Sequence, residues 1–169
     1  MTADHSSFVP WLSSCRPGLD GEIVRLDGHS EHHYPLIIQY EDTDAGGITY
    51  HSSYINFAER ARSAWLRLAG FSLSGWLADH NQGFVIRKLE ADYKTPSKLH
   101  ERMAVCTSVL AYRRASCILS QNIYHENGHI SARVIVHGAW VDITSGPKAF
   151  PPRLSEIIAL FHQQQVSRG

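Results

Sequence analysis

Polar side chains suited to catalysis are concentrated between residues 40 and 51, in the segment Tyr-Glu-Asp-Thr-Asp-Ala-Gly-Gly-Ile-Thr-Tyr-His. This segment lies between a predicted strand and the start of the longest predicted helix. A helix N-terminus has unpaired N–H groups and a partial positive charge, so it can polarise a carbonyl group or bind an oxyanion. A carboxylate a few residues before the helix can act on the same carbonyl as a nucleophile or a general base. The spacing therefore suits acyl transfer.

A purely structural interpretation of the same segment stays open. Asp42 and Asp44 are suited to closing Asx-turns and capping the helix, and Gly46 and Gly47 to the turn geometry. A calcium-binding EF-hand loop, by contrast, is excluded by the spacing. Counted from Asp42, its fifth position is Gly46 and its twelfth is Ser53, where oxygen and glutamate ligands are required.

Histidine and cysteine residues elsewhere predict no metal site. His29, His32 and His33 have ligand-like spacing but stand in a polar segment, so a solvated stretch is favoured over a metal site. Cys106 and Cys117 fall within strand patterns and have no neighbouring histidine, which favours core thiols over nucleophiles. The sequence also lacks a G-x-S-x-G elbow, a P-loop and an H-E-x-x-H motif. The common serine hydrolase, NTPase and zinc protease classes are therefore not indicated.

Basic side chains are the remaining candidates for ligand binding. Lys88, Lys94 and Lys98 flank a predicted strand and the Thr-Pro-Ser turn that follows it. Solvated positions are the default interpretation for each, and contacts to a phosphate-bearing ligand are the alternative. Arg113 and Arg114 are predicted at a hairpin tip, where anion binding is the less favoured role.

Composition limits the class of protein. The 169 residues suit about one domain, and the 16 Lys and Arg residues balance the 16 Asp and Glu residues. This charge balance argues against general nucleic-acid binding. The odd number of cysteines, without a C-x-x-C pair, favours a reducing compartment. The first 14 residues do not resemble a signal peptide and no stretch approaches the ~20 apolar residues of a membrane-spanning helix, so a soluble cytoplasmic protein is expected.

The order of predicted elements indicates an α+β domain. Residues 1–33 are interpreted as a partly mobile N-terminal appendage with at most one added strand over 22–26, and residues 34–169 as the folded domain. Strands are predicted over 34–40, 84–93, 102–112, 116–124 and 129–142. Asn127-Gly128 predicts a type I′ hairpin turn. One strand, a long helix and then consecutive strands favour an antiparallel sheet packed on one helix over a doubly wound fold.

Three helices accompany these strands. The longest is predicted to start with Ser52 or Ser53 as its N-cap and to end at Gly70. Its predicted buried stripe comprises Tyr54, Phe57, Ala58, Ala61, Trp65 and Leu68. Its predicted exposed face comprises Glu59, Arg60, Arg62 and Arg67. Shorter helices are predicted over 73–80 and 154–164.

The 40–51 segment, together with Ser-Tyr-Ile-Asn-Phe-Ala-Glu-Arg-Ala-Arg at 53–62, closely resembles the hotdog-fold acyl-CoA thioesterases of the 4-hydroxybenzoyl-CoA thioesterase family. Within this family the residues most resemble the branch of the bacterial Tol-Pal-associated acyl-CoA thioesterases. The resemblance continues through Arg-Lys at 87–88, Asp-Tyr-Lys-Thr-Pro-Ser-Lys-Leu at 92–99 and Val-Asp at 141–142. It covers about residues 34–152, so nothing is carried over to the N-terminal appendage.

The resemblance implies a fold and an activity. The fold would be a hotdog, an antiparallel sheet wrapped around one long central helix, assembled as a homodimer or homotetramer with active sites at subunit interfaces. The activity would be hydrolysis of an acyl-CoA thioester without a metal or organic cofactor. Acyl carrier protein or lipid-synthesis enzymes are the further partners expected. The alternatives are another hotdog activity, such as a dehydratase, and a non-catalytic acyl-CoA-binding or envelope-associated scaffold protein.

The resemblance also implies roles for individual residues. Asp44 matches the catalytic carboxylate, as nucleophile or as base for water. His51 matches the histidine at the helix start, whose backbone N–H would polarise the thioester carbonyl, and Tyr40 matches an active-site tyrosine. Substrate-binding roles fall to two sets of residues. The first, along the loop, is Gly46, Gly47 and Tyr50, and the second, for the coenzyme A phosphates, is Lys88, Lys94 and Lys98.

Overall fold

Residues 19–163 are described by a computed structural model, and within them the chain forms one antiparallel sheet and three α-helices. The strands are β1 (Glu22–Leu26), β2 (His29–Ile37), β3 (Gln82–Tyr93), β4 (Arg102–Tyr112), β5 (Ser116–His125), β6 (Ile130–Asp142) and β7 (Gly146–Pro147). The helices are α1 (His51–Leu68), α2 (Leu73–His80) and α3 (Pro152–Leu160). The strand order is β1-β2-β4-β5-β6-β3, with β7 paired to β6. The predicted α+β class is confirmed.

Helix α1 lies against one face of this sheet and supplies the centre of the core. Phe57, Ala58 and Ala61 are fully buried and belong to the same cluster as Val134 and Trp140 of β6. A helix with an apolar stripe and a sheet with one apolar face bury each other in this way. The result is the sheet wrapped around a long central helix that the resemblance implied.

The predicted faces of α1 are confirmed except at two positions. Leu68 is 41% exposed, because it is the last residue of the helix. Arg62 is buried, since its guanidinium donates to Gln121 Oε1 of β5 (2.8 Å) and pairs with Glu59. The predicted N-cap is also wrong. The cap residue is Tyr50, and Ser53 Oγ instead donates to the carbonyl oxygen of Asp42 (3.1 Å).

The N-terminal part of the sheet begins earlier than predicted. Strand β2 runs from His29 to Ile37, so the predicted boundary between residues 33 and 34 falls inside a strand. Its first residues pair with β1, which occupies the predicted 22–26 stretch, and its later ones with β4. His32 and His33 are consequently buried, against the prediction of a solvated segment. Residues 1–18, the larger part of the predicted appendage, lie outside the described residues.

The remaining elements follow the predictions with small shifts. Helix α2 and strand β4 have the predicted bounds, and α3 starts two residues before the predicted Leu154. The β5–β6 turn is not of type I′, because Gly128 (φ +83°) has a positive φ and Asn127 does not. The His125 N–H donates to the carbonyl oxygen of His129 (2.9 Å), which closes a three-residue loop. Such loops commonly place glycine last, in the left-handed conformation.

None of the helices in residues 19–163 is both long enough and apolar enough to span a bilayer.

A buried histidine ties the N-terminal strands to the helix. His32 is fully buried and its Nε2 donates to the Asp20 carbonyl oxygen (2.6 Å), while the Asp20 carboxylate accepts from Arg67 of α1 (2.6 Å). Burial lowers the pKa of His32 from 6.5 to about 4. The imidazole therefore stays neutral in the folded chain at pH values where the unfolded chain protonates it.

We expect this difference to make stability fall with acidity. The His32 contribution is complete above the unfolded pKa of 6.5 and is lost as the pH falls towards the folded pKa of about 4. Between pH 7 and 5, the loss in unfolding free energy should be about 2 kcal/mol. Urea unfolding at pH 7 and at pH 5 measures this decrease in unfolding free energy. In His32→Gln, which retains an N–H donor but does not titrate, the decrease should be smaller by the His32 contribution. An equal loss in the variant would contradict the assignment.

Candidate active site

The loop that leads into α1 is organised around Asp42. This residue is buried at the end of a 3₁₀ turn (Tyr40–Asp42), and its Oδ2 accepts the Gln39 N–H (2.8 Å). Its carbonyl oxygen accepts the Tyr50 N–H (2.8 Å) and Ser53 Oγ–H (3.1 Å). Asp42 thus holds both ends of the loop together, which is the structural role that the sequence left open for it.

Asp44 lies at the exposed tip of the same loop. Its Oδ1 accepts the Gly46 N–H (2.7 Å), and its carbonyl oxygen accepts the N–H of Gly47 (3.0 Å), whose φ is +74°. These bonds form an Asx-turn, one of the two predicted roles. No second hydrogen bond to the carboxylate is formed by residues 19–163. One oxygen is therefore held by the turn and the other is open to a ligand.

The start of α1 presents unused backbone donors next to this loop. The Ser53 N–H donates to the carbonyl oxygen of Tyr50 (2.9 Å), whereas the N–H groups of His51 and Ser52 make no hydrogen bond to the part of the chain that the structure describes. Two free donors at the positive end of an 18-residue helix can stabilise a developing oxyanion. The His51 side chain is exposed, and its ring lies 4.3 Å from that of Tyr50.

Tyr93, at the end of β3, fixes the helix start. Its hydroxyl donates to the His51 carbonyl oxygen (2.9 Å), and its ring lies 5.5 Å from that of Tyr54. Burial raises the pKa of Tyr93, with a smaller contribution from Tyr54, so the phenol remains a hydrogen-bond donor at neutral pH. No role for Tyr93 could be predicted from the sequence, because only the fold brings the end of β3 to the helix.

A buried group of hydroxyls, here called the hydroxyl cluster (Thr49, Tyr54, Ser97 and Ser131), holds the loop, the helix and the strand ends together. Ser97 Oγ bonds to Thr49 Oγ1 (2.7 Å) and to Tyr54 Oη (2.9 Å). The Ser97 N–H also donates to Tyr54 Oη (3.1 Å), and Ser131 Oγ lies 3.2 Å from that oxygen. Tyr54 was predicted only as part of the apolar stripe. A buried tyrosine needs a partner for its hydroxyl, which was the available signal.

Removing the hydroxyl at the centre of this cluster should destabilise the chain. We expect Tyr54→Phe to lower the unfolding free energy by about 1–3 kcal/mol, because Ser97 and its backbone N–H lose a buried partner. Tyr112→Phe is the matched control, since that side chain is 41% exposed and its hydroxyl has no partner among the described residues. Denaturant unfolding compares the two, and equal effects would show that the cluster is not specifically stabilising.

The three lysines predicted to bind phosphate differ in their position relative to the Asp44 loop. Lys98 forms a β-bridge with Ile48, which places it beside the Asp44 loop. Lys94 follows β3 and pairs with Asp92. Lys88 pairs with Glu90 (2.8 Å) in the middle of β3, about 17 Å along the strand from Tyr93. The structure therefore brings Lys98 to the loop and leaves Lys88 apart from it.

The predicted aromatic residues of the site are at the surface of this chain. Tyr40 is 84% exposed and Tyr50 46% exposed, and neither hydroxyl has a hydrogen-bond partner in residues 19–163. Both belong to the loop that carries Asp44. Exposed aromatic side chains beside a candidate site are available for contact with a ligand or with another subunit.

An apolar cavity of about 80 Å³ lies farther along α1, between the helix and the sheet. Its lining includes Trp65, Leu66, Phe84 and Leu119. Burial lowers the pKa of Arg62, which also lines the cavity, although the neighbouring Glu59 opposes this shift. The lining suits a hydrocarbon group.

Comparison with known proteins identifies the family of the chain. Residues 38–158 match the model of the thioesterase-like superfamily. The acyl-CoA thioester hydrolase YbgC of Escherichia coli O6:H1 is 34% identical over 131 residues, which cover 77% of this chain and 95% of the relative. The acyl-CoA thioesterase YbgC of Haemophilus influenzae is 35% identical over 130 residues, covering 76% and 93%. These named relatives are hydrolases of acyl-CoA thioesters.

A solved structure supports the same fold. A 1,4-dihydroxy-2-naphthoyl-CoA thioesterase from Synechocystis superimposes with a TM-score of 0.72 at 17% identity, covering 76% of this chain and 95% of that one. This likeness confirms the hotdog architecture. The chain belongs to the thioesterase-like superfamily, as the match over residues 38–158 and the relatives above 30% identity show. The resemblance inferred from residues 40–62 is confirmed.

Proposed function

We propose that this chain hydrolyses an acyl-CoA thioester to the free carboxylic acid and coenzyme A. The observation that carries the proposal is that one loop holds both the Asp44 carboxylate, with one oxygen free, and, where it enters α1, the unused N–H groups of the helix start. Acyl transfer needs both a nucleophile or base and a stabilised oxyanion. The activity named for relatives that align over more than nine-tenths of their length supports the same reaction.

Two routes use the same groups. In the nucleophilic route, the free Asp44 oxygen attacks the thioester carbonyl, the coenzyme A thiolate leaves, and water hydrolyses the resulting anhydride. In the general-base route, Asp44 takes a proton from a water molecule that attacks the carbonyl directly. In both routes the carbonyl oxygen gains negative charge, which the N–H groups of His51 and Ser52 stabilise. Gly46 and Gly47 let the substrate approach the loop closely, with Tyr40 and Tyr50 beside it.

The coenzyme A phosphates are assigned to basic residues near this loop. Lys98 is the leading candidate, because it adjoins Ile48 and makes no ion pair among the described residues. Lys94 is second, since Asp92 partly neutralises it, and Lys88 is third because of its distance along β3. Lys98→Ala should raise KM for an acyl-CoA more than it lowers kcat.

Assembly into a homodimer or homotetramer remains a prediction from the resemblance. Strand β3 is 12 residues long and lies at one end of the strand order, so its outer edge offers unpaired backbone groups. Pairing of such edges between subunits would extend the sheet. Light scattering on the full chain measures the mass directly. The predicted cytoplasmic location and the predicted association with acyl carrier protein or lipid-synthesis enzymes also stay predictions.

The proposed activity is tested by thiol release from a panel of acyl-CoAs that runs from short aliphatic through aromatic to long-chain. We expect turnover on part of the panel, and the rates will rank the acyl groups. Loss of water from a 3-hydroxyacyl-CoA without thiol release would instead indicate a dehydratase. Binding of acyl-CoA without turnover of any kind would favour the scaffold alternative, and either result would overturn the proposal.

A further inference from the structure

Three side chains of types that can ligate a metal ion meet on the face of the sheet that α1 does not cover. Glu31, His33 and Cys106, here called the β2–β4 cluster, are buried, and their donor atoms all lie within 4.8 Å of one another. Glu31 and His33 project from the same face of β2, because alternate residues of a strand share a face. Cys106 of β4 lies directly opposite His33 in the strand pairing.

The cluster is separate from the candidate active site. Tyr34 and Leu36, on the other face of β2, pack against the core around α1. Cys106 instead packs with Ala104 and Tyr124 in a second, smaller apolar cluster. No residue of the Asp44 loop takes part in it. The proposed hydrolysis therefore leaves these three buried polar groups without a role.

The polar surroundings hold the Glu31 carboxylate in place. Its Oε2 lies 3.3 Å from His33 Nε2, and its Oε1 lies 3.5 Å from His29 Nε2. Gln163 Nε2 also donates to Oε1 (3.4 Å). Gln163 and His29 thus hold the Glu31 carboxylate beside the His33 imidazole, and the pairing of β2 with β4 fixes the imidazole opposite the Cys106 thiol.

The ligand types select the class of cation. Thiolate, imidazole and carboxylate together are typical of Zn²⁺, whereas Ca²⁺ and Mg²⁺ prefer oxygen ligands alone. Zn²⁺ in structural sites takes four ligands in a tetrahedron. His29 supplies a candidate fourth ligand, since it lies on the same face of β2 and its Nε2 is 3.5 Å from Glu31 Oε1. Its ring lies outside the group of three, so its side chain would have to turn towards the ion.

We propose that the β2–β4 cluster binds one Zn²⁺ ion, with Glu31, His33 and Cys106 as ligands and His29 as the fourth. The Cys106 thiol becomes a thiolate on binding, and its proton passes to the solvent. The ion would link β2 to β4 and so fasten the N-terminal strands to the rest of the sheet. A cation that binds only the folded chain raises its stability in proportion to the logarithm of its concentration.

Cobalt substitution tests this site on the full chain without an affinity tag. Co²⁺ is titrated into the chelator-treated protein while the thiolate-to-cobalt charge-transfer absorption is recorded. We expect one Co²⁺ per chain with this absorption, its displacement by Zn²⁺, and a higher melting temperature with either metal. Cys106→Ser should abolish the absorption. Cys117→Ser is the matched control, because that cysteine is also buried and free but lies outside the cluster.

A second variant protects the test against misfolding of Cys106→Ser. His33→Gln retains every cysteine and should lower the Co²⁺ affinity at least tenfold. Absence of the charge-transfer absorption in the wild-type chain would overturn the proposal. So would an absorption that persists in Cys106→Ser, since it would come from another cysteine, or one that is unchanged in His33→Gln.

Discussion

Asp44→Asn is expected to lower kcat for acyl-CoA hydrolysis by roughly 1,000-fold or more, equivalent to a barrier increase of about 4 kcal/mol. Asparagine keeps a side-chain oxygen that can accept the Gly46 N–H, so the Asx-turn is retained. What it loses is the negative charge and with it the capacity to attack a carbonyl or deprotonate water. The substitution thus separates the chemical role of Asp44 from its structural role.

The measurement is steady-state thiol release, accompanied by circular dichroism and light scattering to confirm an unchanged fold and mass. Glu41→Gln is the matched control, because this neighbouring carboxylate is exposed and has no partner among the described residues. We expect it to retain kcat within about twofold. Near-full activity of Asp44→Asn would refute the catalytic assignment, whereas an inactive wild-type chain would refute the thioesterase proposal itself.

Gln121→Met should lower the free energy of unfolding by about 3 kcal/mol, the largest effect on stability expected of any substitution proposed here. Gln121 is fully buried on β5 and accepts from Arg62 (2.8 Å). Its Nε2 donates to the Ala58 carbonyl oxygen (2.8 Å) and to Thr107 Oγ1 (3.0 Å). Methionine has a similar volume but makes none of these bonds, so a buried guanidinium loses its neutral partner and keeps only Glu59.

The arginine paired with the neighbouring amide on the same strand provides the control. Asn122 accepts from the exposed Arg133 (2.9 Å) and also bonds to the buried Tyr124, so the control is Arg133→Met, which breaks only the exposed pair and should cost less than about 1 kcal/mol. Urea unfolding of both variants at pH 7 compares a buried with an exposed arginine–amide pair. Similar losses in the two variants would show that burial of Arg62 does not set the cost.

Local features of the fold could be predicted because short-range chemistry determines them. The stripe of α1, the bounds of α2 and the strands β4 to β6 follow from apolar spacing and turn residues. The errors at Arg62 and His33 share one cause, which is that the decisive partner is distant in sequence. Arg62 was assigned to the surface because arginine is usually exposed, and Gln121, 59 positions away, buries it. His33 was predicted to be solvated because its neighbour across the sheet, Cys106 of β4, is not evident from the residues around β2.

The candidate site also combines features that the local sequence predicts with features that depend on distant contacts. The sequence alone determined the class of chemistry, because a carboxylate, two glycines and a helix start are adjacent in the chain, and their pattern marks the thioesterase-like superfamily. Only the tertiary structure decided which groups support them. Tyr93 ends β3, Ser97 lies in the β3–β4 loop and Ser131 is near the start of β6, and local spacing places none of them near residue 51. The tertiary structure likewise decided that Lys98, rather than Lys88, adjoins the loop. Candidate catalytic groups that are adjacent in sequence can be predicted from local pattern, whereas the groups that support them depend on strand pairing, which long-range packing sets.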